Sequence, residues 1–262
     1  MKALPRQIVT TLGLLALGLA GTTVQAQISG FGGSGLGWTL NNSSGAAASV
    51  TSDVLNIVSG YGVGNSAFYD TPENISSFTA SFVWQNTQGP NGDGFSPADG
   101  LVFTLQNQGV SAVGGGGSGL GYQGISSATG VAFNMWDGHT VGMGYAPTTV
   151  GNGTYGYSST GSVNFDSTDP MSVNVSYSAG LLDVSVEDET TLAAYSTSYS
   201  VNLPSDAGGS TAFVGFTGGS GAGESDQFIS DFTFTSVPDG GLTSALLAGA
   251  LGLLGVARRR MG

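Results

Sequence analysis

Short runs that alternate polar and apolar side chains most tightly constrain what this chain can fold into. Successive side chains of a strand point to opposite faces, so strict alternation predicts a strand with one buried face. The alternating runs are residues 77–84, 172–177, 182–186 and 228–234. Residues 101–105 and 212–216 are more continuously apolar, as expected of strands covered on both faces.

Gly, Asn, Ser and Asp separate these runs, and no stretch between them shows helical periodicity with caps. The pattern predicts an all-β fold, an antiparallel β-sandwich formed by a single domain over residues 27–236. Apolar residues make up 40% of the 262-residue chain, which is enough for a sizeable core.

The positions of the charges exclude several classes of partner. The chain has five Lys and Arg residues and seventeen Asp and Glu residues. Residues 27–236 contain no Lys or Arg but sixteen of the acids, a formal charge of −16. Nucleic-acid binding requires cations that displace counterions from phosphates, so this body is not expected to bind nucleic acid or other anionic polymers. Neutral ligands and divalent cations remain compatible.

The chain has no Cys and one His, His139. This composition rules out thiol catalysis, disulfides, Cys-based zinc sites and multi-His metal sites. A core of this size can be stable without disulfides outside the cytoplasm.

The N-terminal 26 residues have the features of a secretory signal peptide. Lys2 and Arg6 precede an apolar run over residues 12–20, and Val24-Gln25-Ala26 supplies small residues where signal peptidase cleaves. The alternative is a membrane anchor, but the run is short for a membrane span. We expect Gln27 to become the new N-terminus.

The C-terminal residues 237–262 form a second targeting segment. Val237-Pro238-Asp239-Gly240-Gly241 precedes an apolar stretch over residues 242–257 and the cluster Arg258-Arg259-Arg260. The stretch predicts a transmembrane helix with the Arg cluster on the cytoplasmic side, and an ordinary tail anchor is one interpretation. The whole segment resembles the PEP-CTERM class of bacterial sorting signals in its VPDSG-like variant. That resemblance implies processing by an exosortase, a transient membrane anchor, and release to the cell surface or extracellular matrix.

Several segments of the body carry a second resemblance, and together they span nearly all of residues 28–236. They are Gly37-Trp38-Thr39-Leu40, Ala98-Asp99-Gly100-Leu101, the Gly-rich residues 114–125, Phe133-Asn134-Met135-Trp136, Thr140-Val141-Gly142-Met143 and residues 212–221. In this order they resemble the legume-type lectin domain in its bacterial form. The resemblance implies a concanavalin-like jelly roll.

The resemblance also implies a shallow sugar site made by several loops. The family's A-D-G aspartate accepts hydrogen bonds from two sugar hydroxyls, a backbone N–H of the Gly-rich loop donates to the sugar, and an aromatic ring packs on the sugar face. Asp99 then becomes the principal sugar ligand, although Asp-Gly is also a common turn pair. The other candidate carbohydrate-binding residues are Gly116 and Gly117 of the donor loop, Asp137, Gly218 and Gly219.

This sequence differs from the family at the family's metal site. The family's Glu-x-Asp pair, which helps to hold Ca²⁺ and a transition metal, falls on Ala132 and Asn134. Ala has no ligand atom and Asn offers a neutral carbonyl, whereas Ca²⁺ takes six to eight oxygens, several of them charged. Asn134, Asp137 and His139 are the remaining weak candidates. No cofactor is therefore predicted, with Ca²⁺ left open as the alternative. In the family, the metals order the loop that presents the sugar-binding aspartate.

These observations favour an exported, lectin-like protein that binds a neutral glycan or exopolysaccharide. One alternative is a structural surface or matrix protein that kept the sandwich and lost the sugar site. The other is a glycoside hydrolase, which needs two carboxylates across the scissile bond. The only close acidic cluster is Glu187-Asp188-Glu189, predicted to be a solvated hairpin turn, so we expect no enzymatic activity.

Overall fold

A computed structural model describes residues 27–87, 97–147 and 155–237, and within them the chain forms sixteen strands and two four-residue helices. The predicted signal peptide, the Pro238–Gly241 part of the sorting motif and the predicted C-terminal helix lie outside these residues. In the described part, no helix is long and apolar enough to cross a membrane. The elements, in chain order, are β1 (Gln27–Ser29), α1 (Gly32–Gly35), β2 (Trp38–Ser44), β3 (Ser49–Thr51), β4 (Val54–Gly60), β5 (Gly64–Tyr69), β6 (Glu73–Asn74), β7 (Phe78–Asn86), β8 (Gly100–Gln106), β9 (Ala128–Asn134), β10 (Gly142–Pro147), β11 (Ser158–Ser159), β12 (Met171–Ser178), β13 (Leu181–Asp188), β14 (Ala194–Ser200), α2 (Leu203–Asp206), β15 (Thr211–Gly219) and β16 (Ser225–Ser236).

The strands form two antiparallel sheets of eight strands each. The back sheet has the order β14-β13-β12-β7-β16-β4-β3, with β1 paired to β16. The front sheet has the order β11-β10-β9-β8-β15-β5-β2, with β6 paired to β15. The predicted antiparallel β-sandwich is therefore confirmed.

Aromatic side chains fill the space between the sheets. Phe82 of the back sheet lies 5.0 Å from Phe216 of the front sheet, and Phe103 lies 5.7 Å from Phe216, measured between ring centroids. Edge-to-face and tilted pairs of this kind stabilise a core beyond the area that they bury. Trp84 and Phe232 belong to the same cluster and are almost fully buried.

The front sheet is buried on its outer face as well. A second apolar cluster packs there, formed by loop residues such as Leu120 and Tyr122 on strand residues such as Val102 and Ala132. Every residue of β8 is buried as a result. This agrees with the prediction that residues 101–105 are covered on both faces.

The acidic cluster lies where the predicted hairpin turn joins β13 to β14, with Glu187 and Glu189 exposed, but Asp188 is not solvated. Strand β13 continues through Asp188, which is buried at 2% exposure. The Asp188 carboxylate accepts hydrogen bonds from the backbone N–H groups of Thr190 and Thr191, both at 2.9 Å. Asp188 therefore caps the turn, a local role that alternation alone did not reveal.

Candidate functional site

Three separate elements fix the backbone of Asp99, which directly precedes β8. The Asp99 N–H donates to the Gly219 carbonyl at 2.9 Å, and the Asp99 carbonyl accepts from the Met135 N–H at 3.0 Å. The preceding Ala98 carbonyl accepts from the buried Ser225 hydroxyl at 2.6 Å. The Ala98–Asp99 peptide bond is cis. Asp99 is thus held between the ends of β9, β15 and the start of β16.

The Asp99 carboxylate is buried, with 4% of the residue exposed, and one of its oxygens is unused. Oδ2 has no hydrogen-bond partner within the described residues. Burial raises the pKa of Asp99 from 3.8 to about 6, although the backbone N–H of Gly221 pulls that pKa down. A buried acceptor without a partner is unfavourable for folding, which is typical of a group kept for a ligand.

Glycine backbone forms the wall beside this carboxylate. A Cβ atom at position 221 would lie 3.1 Å from Asp99 Oδ2, and one at position 117 would lie 3.9 Å from the same oxygen. Gly117 has a φ of +60°, in the left-handed region that favours glycine. Neither position therefore places a side chain beside Oδ2, which is itself a buried atom.

The Gly-rich loop is locked against the front sheet. Gly117 begins a 3₁₀ turn that ends at Gly119, and its N–H is shared between the carbonyls of Val63, at 3.3 Å, and Ser220, at 3.1 Å. At Gly116, a Cβ atom would lie only 2.4 Å from the Val63 carbonyl oxygen. The Gly117 N–H is therefore engaged within the protein, and Gly117 shapes the site through close backbone approach.

The two other candidate glycines, both in β15, face opposite sides. A Cβ atom at Gly219 would lie 2.7 Å from the Gly117 carbonyl oxygen, so glycine here lets the Gly-rich loop approach β15. A Cβ atom at Gly218 would instead meet the Val58 and Ile57 side chains between the sheets. Gly219 belongs to the Asp99 cluster, whereas Gly218 faces the core.

Asp137 lies on the exposed turn after β9 and is not part of the glycine wall beside the Asp99 carboxylate. Its charge acts on Asp166, where burial first and then Asp137 raise the pKa to about 6. Oδ1 of Asp166 is buried without a partner among the described residues. Within residues 27–87, 97–147 and 155–237, no three His, Cys, Asp or Glu side chains come close enough to hold a metal ion.

The residues at the metal positions implied by the resemblance pack in the core or make hydrogen bonds and ring contacts within the protein. Ala132 is fully buried in the apolar cluster on the outer face of the front sheet. Asn134 is 1% exposed, and its amide nitrogen donates to backbone carbonyls. The His139 ring lies 4.7 Å from the Trp136 ring, and its buried Nδ1 has no partner in the described structure. This donor set does not fit the paired metal site of the resemblance.

Two residues near Asp99 were absent from the sequence-based candidates. Gly221 belongs to the Gly-Gly-Ser-Gly segment that carries the resemblance, so it could have been found. Tyr157 could not, because it lies beyond β10 with no motif around it. Its hydroxyl is buried without a partner among the described residues, and burial, followed by the charges of Tyr155 and Asp99, raises its pKa above the ordinary value.

An open groove also lies on the outer face of the back sheet, away from Asp99. Strands β7, β12, β13 and β14 line it with small polar residues such as Thr79, Asn174 and Ser196. The groove is broad and contains no aromatic ring that could pack on a sugar. Its chemistry fits a solvated sheet face better than a ligand site.

The C-terminal residues 236–261 match the family described as the VPDSG-CTERM motif. The first residue of that motif, Val237, is described, and its N–H donates to the Ser77 carbonyl at 2.8 Å. The chain therefore carries a C-terminal sorting motif directly after the last strand of the sandwich.

Solved structures of plant lectins share the fold of the body. Arcelin-5, a lectin-like defence protein from Phaseolus vulgaris, is 17% identical with a TM-score of 0.66, over 81% of this chain and 98% of that one. Basic winged bean lectin, solved with Tn-antigen, is 21% identical with a TM-score of 0.66, over 82% and 99%. Winged bean acidic lectin, complexed with methyl-α-D-galactose, is 21% identical with a TM-score of 0.65, over 81% and 98%. The body thus has the legume-lectin fold.

Proposed function

We propose that this protein is exported and binds a neutral glycan through Asp99, in the manner of a lectin. The observation that carries the proposal is the unused Asp99 Oδ2, buried beside the glycine backbone of Gly117 and Gly221. A carboxylate oxygen is a strong acceptor for hydroxyl groups, and a sugar presents several hydroxyls at once. Lectin neighbours solved with galactose-type sugars support the same chemistry and make such sugars the first probes.

The sorting motif supports the proposed location. After export, an exosortase-type enzyme would process the C-terminal segment and release the protein to the cell surface or extracellular matrix. An exopolysaccharide in that matrix is then the available ligand. Because the body has a formal charge of −16 and no cation to pair with acidic sugars, the glycan is neutral.

A glycan array with the exported protein tests this function. The array carries neutral glycans, including galactose- and N-acetylgalactosamine-terminated ones, and sulfated glycans. We expect binding to neutral glycans alone, and Asp99→Asn should weaken it about 10- to 100-fold because a hydrogen bond to a charged group is lost. The matched control is Asp183→Asn, which changes an exposed carboxylate on the back sheet. Absence of binding to every glycan would contradict the proposal and favour the structural matrix protein.

A further inference from the structure

The turn between β9 and β10 is built around the buried side chain of Asn134. The Asn134 Nδ2 donates to the Trp136 carbonyl at 2.8 Å and to the Thr140 carbonyl at 3.0 Å. Both partners are acceptors, so only the N–H face of the amide can point at them. One side chain thus ties the beginning of the turn to its end.

Two backbone carbonyls converge on the Asn134 amide nitrogen, as carbonyl oxygens converge on a bound cation. Backbone carbonyls that converge on one point are common ligands of Ca²⁺. Here, the Trp136 carbonyl also accepts from the His139 N–H at 3.2 Å, so both of its lone pairs are used. Ala132 adds no ligand, because its methyl group packs in the apolar cluster.

The same turn holds Asp99 in place. Asn134 lies opposite Gly100 of β8 and opposite Gly142 of β10 in the sheet register. The next residue, Met135, donates its N–H to the Asp99 carbonyl at 3.0 Å. A change in the turn would therefore move the backbone that presents the Asp99 carboxylate.

We propose that the Asn134 side chain is a built-in substitute for a divalent cation at this position. Its two N–H groups order the turn that positions Asp99, so that the fold and the Asp99 site are independent of metal. Asn134 is a positioning residue, since it acts on the ligand through the turn. The statement about glycan binding rests on the proposed function, whereas the statement about the turn does not.

Thermal unfolding of the exported protein tests the inference, measured with 5 mM EDTA and with 10 mM Ca²⁺. We expect the wild-type Tm to agree within about 1 °C in the two buffers. Asn134→Leu should lower the Tm by roughly 5–10 °C, because the Trp136 and Thr140 carbonyls lose the two hydrogen bonds that hold the turn together. Asn134→Asp should lower the Tm in both buffers, because a carboxylate would face two carbonyl oxygens. The matched controls, Asn174→Leu and Asn174→Asp, change an exposed residue of β12 and should leave the Tm nearly unchanged.

Two outcomes would overturn the inference. One is a wild-type Tm that falls by several degrees in EDTA. The other is an Asn134→Asp variant that is more stable than wild type in Ca²⁺, as expected if a cation lay between the carbonyls. Neither readout involves glycan, so a failed glycan array would reject the proposed function alone. Where a glycan binds, its Kd at 20 °C should be equal in EDTA and Ca²⁺ and weaker for Asn134→Leu, and a Kd that weakens in EDTA would contradict the inference.

Discussion

At the scale of single residues, Asp99 places a strong hydrogen-bond acceptor in an unfavourable, buried environment. Burial raises its pKa to about 6, so the folded protein holds the proton more tightly than the unfolded chain, in which the pKa is near 3.8. The tighter proton binding by Asp99 stabilises the folded state fully below pH 4, and this stabilisation is lost as the pH rises through 6. At neutral pH, the folded state therefore carries a buried charge that the Gly221 N–H compensates only in part.

The first prediction concerns the stability of Asp99→Asn. Removing the buried charge should raise the free energy of unfolding at pH 7.5 by up to about 3 kcal/mol. This figure follows because the pKa of Asp99 rises from 3.8 to about 6 and each unit of pKa corresponds to about 1.36 kcal/mol. The gain should disappear near pH 4, where wild-type Asp99 is protonated. Urea unfolding at both pH values measures it. A variant less stable than wild type at pH 7.5 would mean that Asp99 serves the fold instead of a ligand.

The second prediction concerns the pH dependence of glycan binding. The ionised carboxylate accepts from sugar hydroxyls, so the affinity should be constant above pH 7 and fall about tenfold per pH unit below 6. Isothermal titration between pH 4.5 and 8 measures this profile. The Asp183→Asn control should show the same profile as wild type, and a flat wild-type profile would exclude Asp99 as the acceptor.

At the scale of structural elements, the site forms where segments distant in sequence end side by side. Asp99 precedes β8, Gly117 lies in the loop over the front sheet, and Gly221 follows β15. Two of the three residues are glycines, so no Cβ atom occupies the space beside Oδ2. Filling that space should affect the ligand more than the fold.

A third prediction follows for Gly221→Ala. The new methyl group would lie 3.1 Å from Asp99 Oδ2 and occupy the place of a sugar hydroxyl, so glycan affinity should fall at least about tenfold. The Tm should change by less than about 3 °C, because φ at this position is not in the left-handed region. Gly115→Ala is the control, since the nearest atom to its Cβ is 4.0 Å away. Equal affinities for the two variants would place the sugar elsewhere.

The elements also show how far the sequence alone could predict this molecule. Alternation located the strands around residues 77–84 and 172–177, and the observed β7 and β12 match them to within two residues at each end. The resemblance singled out Asp99, whose role stays a prediction. The bridging by Asn134 could not be predicted, because it depends on two carbonyls that converge only after β9 and β10 pair. Tyr157 was missed for the same reason, since its environment is tertiary.

At the scale of the whole molecule, a cation-free sandwich is followed by a sorting motif. The sandwich buries both faces of its front sheet, and a core of this size can be stable without the disulfides that a chain without Cys cannot form. The motif begins immediately after β16, and its first residue still pairs with the Ser77 backbone. Processing after this point would leave the sandwich intact.

The fourth prediction concerns that processing. Protein recovered from the cell exterior should lack residues 1–26 and the segment after about Gly241, because signal peptidase and an exosortase-type enzyme would have removed them. Intact mass spectrometry measures both ends at once. A released protein that keeps Arg258–Arg260 would contradict sorting and favour a permanent tail anchor.

A crystal structure of the exported protein with its best-binding glycan tests the central claim most directly. We predict that two hydroxyl oxygens of one sugar residue lie within about 3.2 Å of the Asp99 carboxylate oxygens, against the backbone of Gly117 and Gly221. A sugar bound in the groove of the back sheet, with Asp99 Oδ2 still without a partner, would contradict the account.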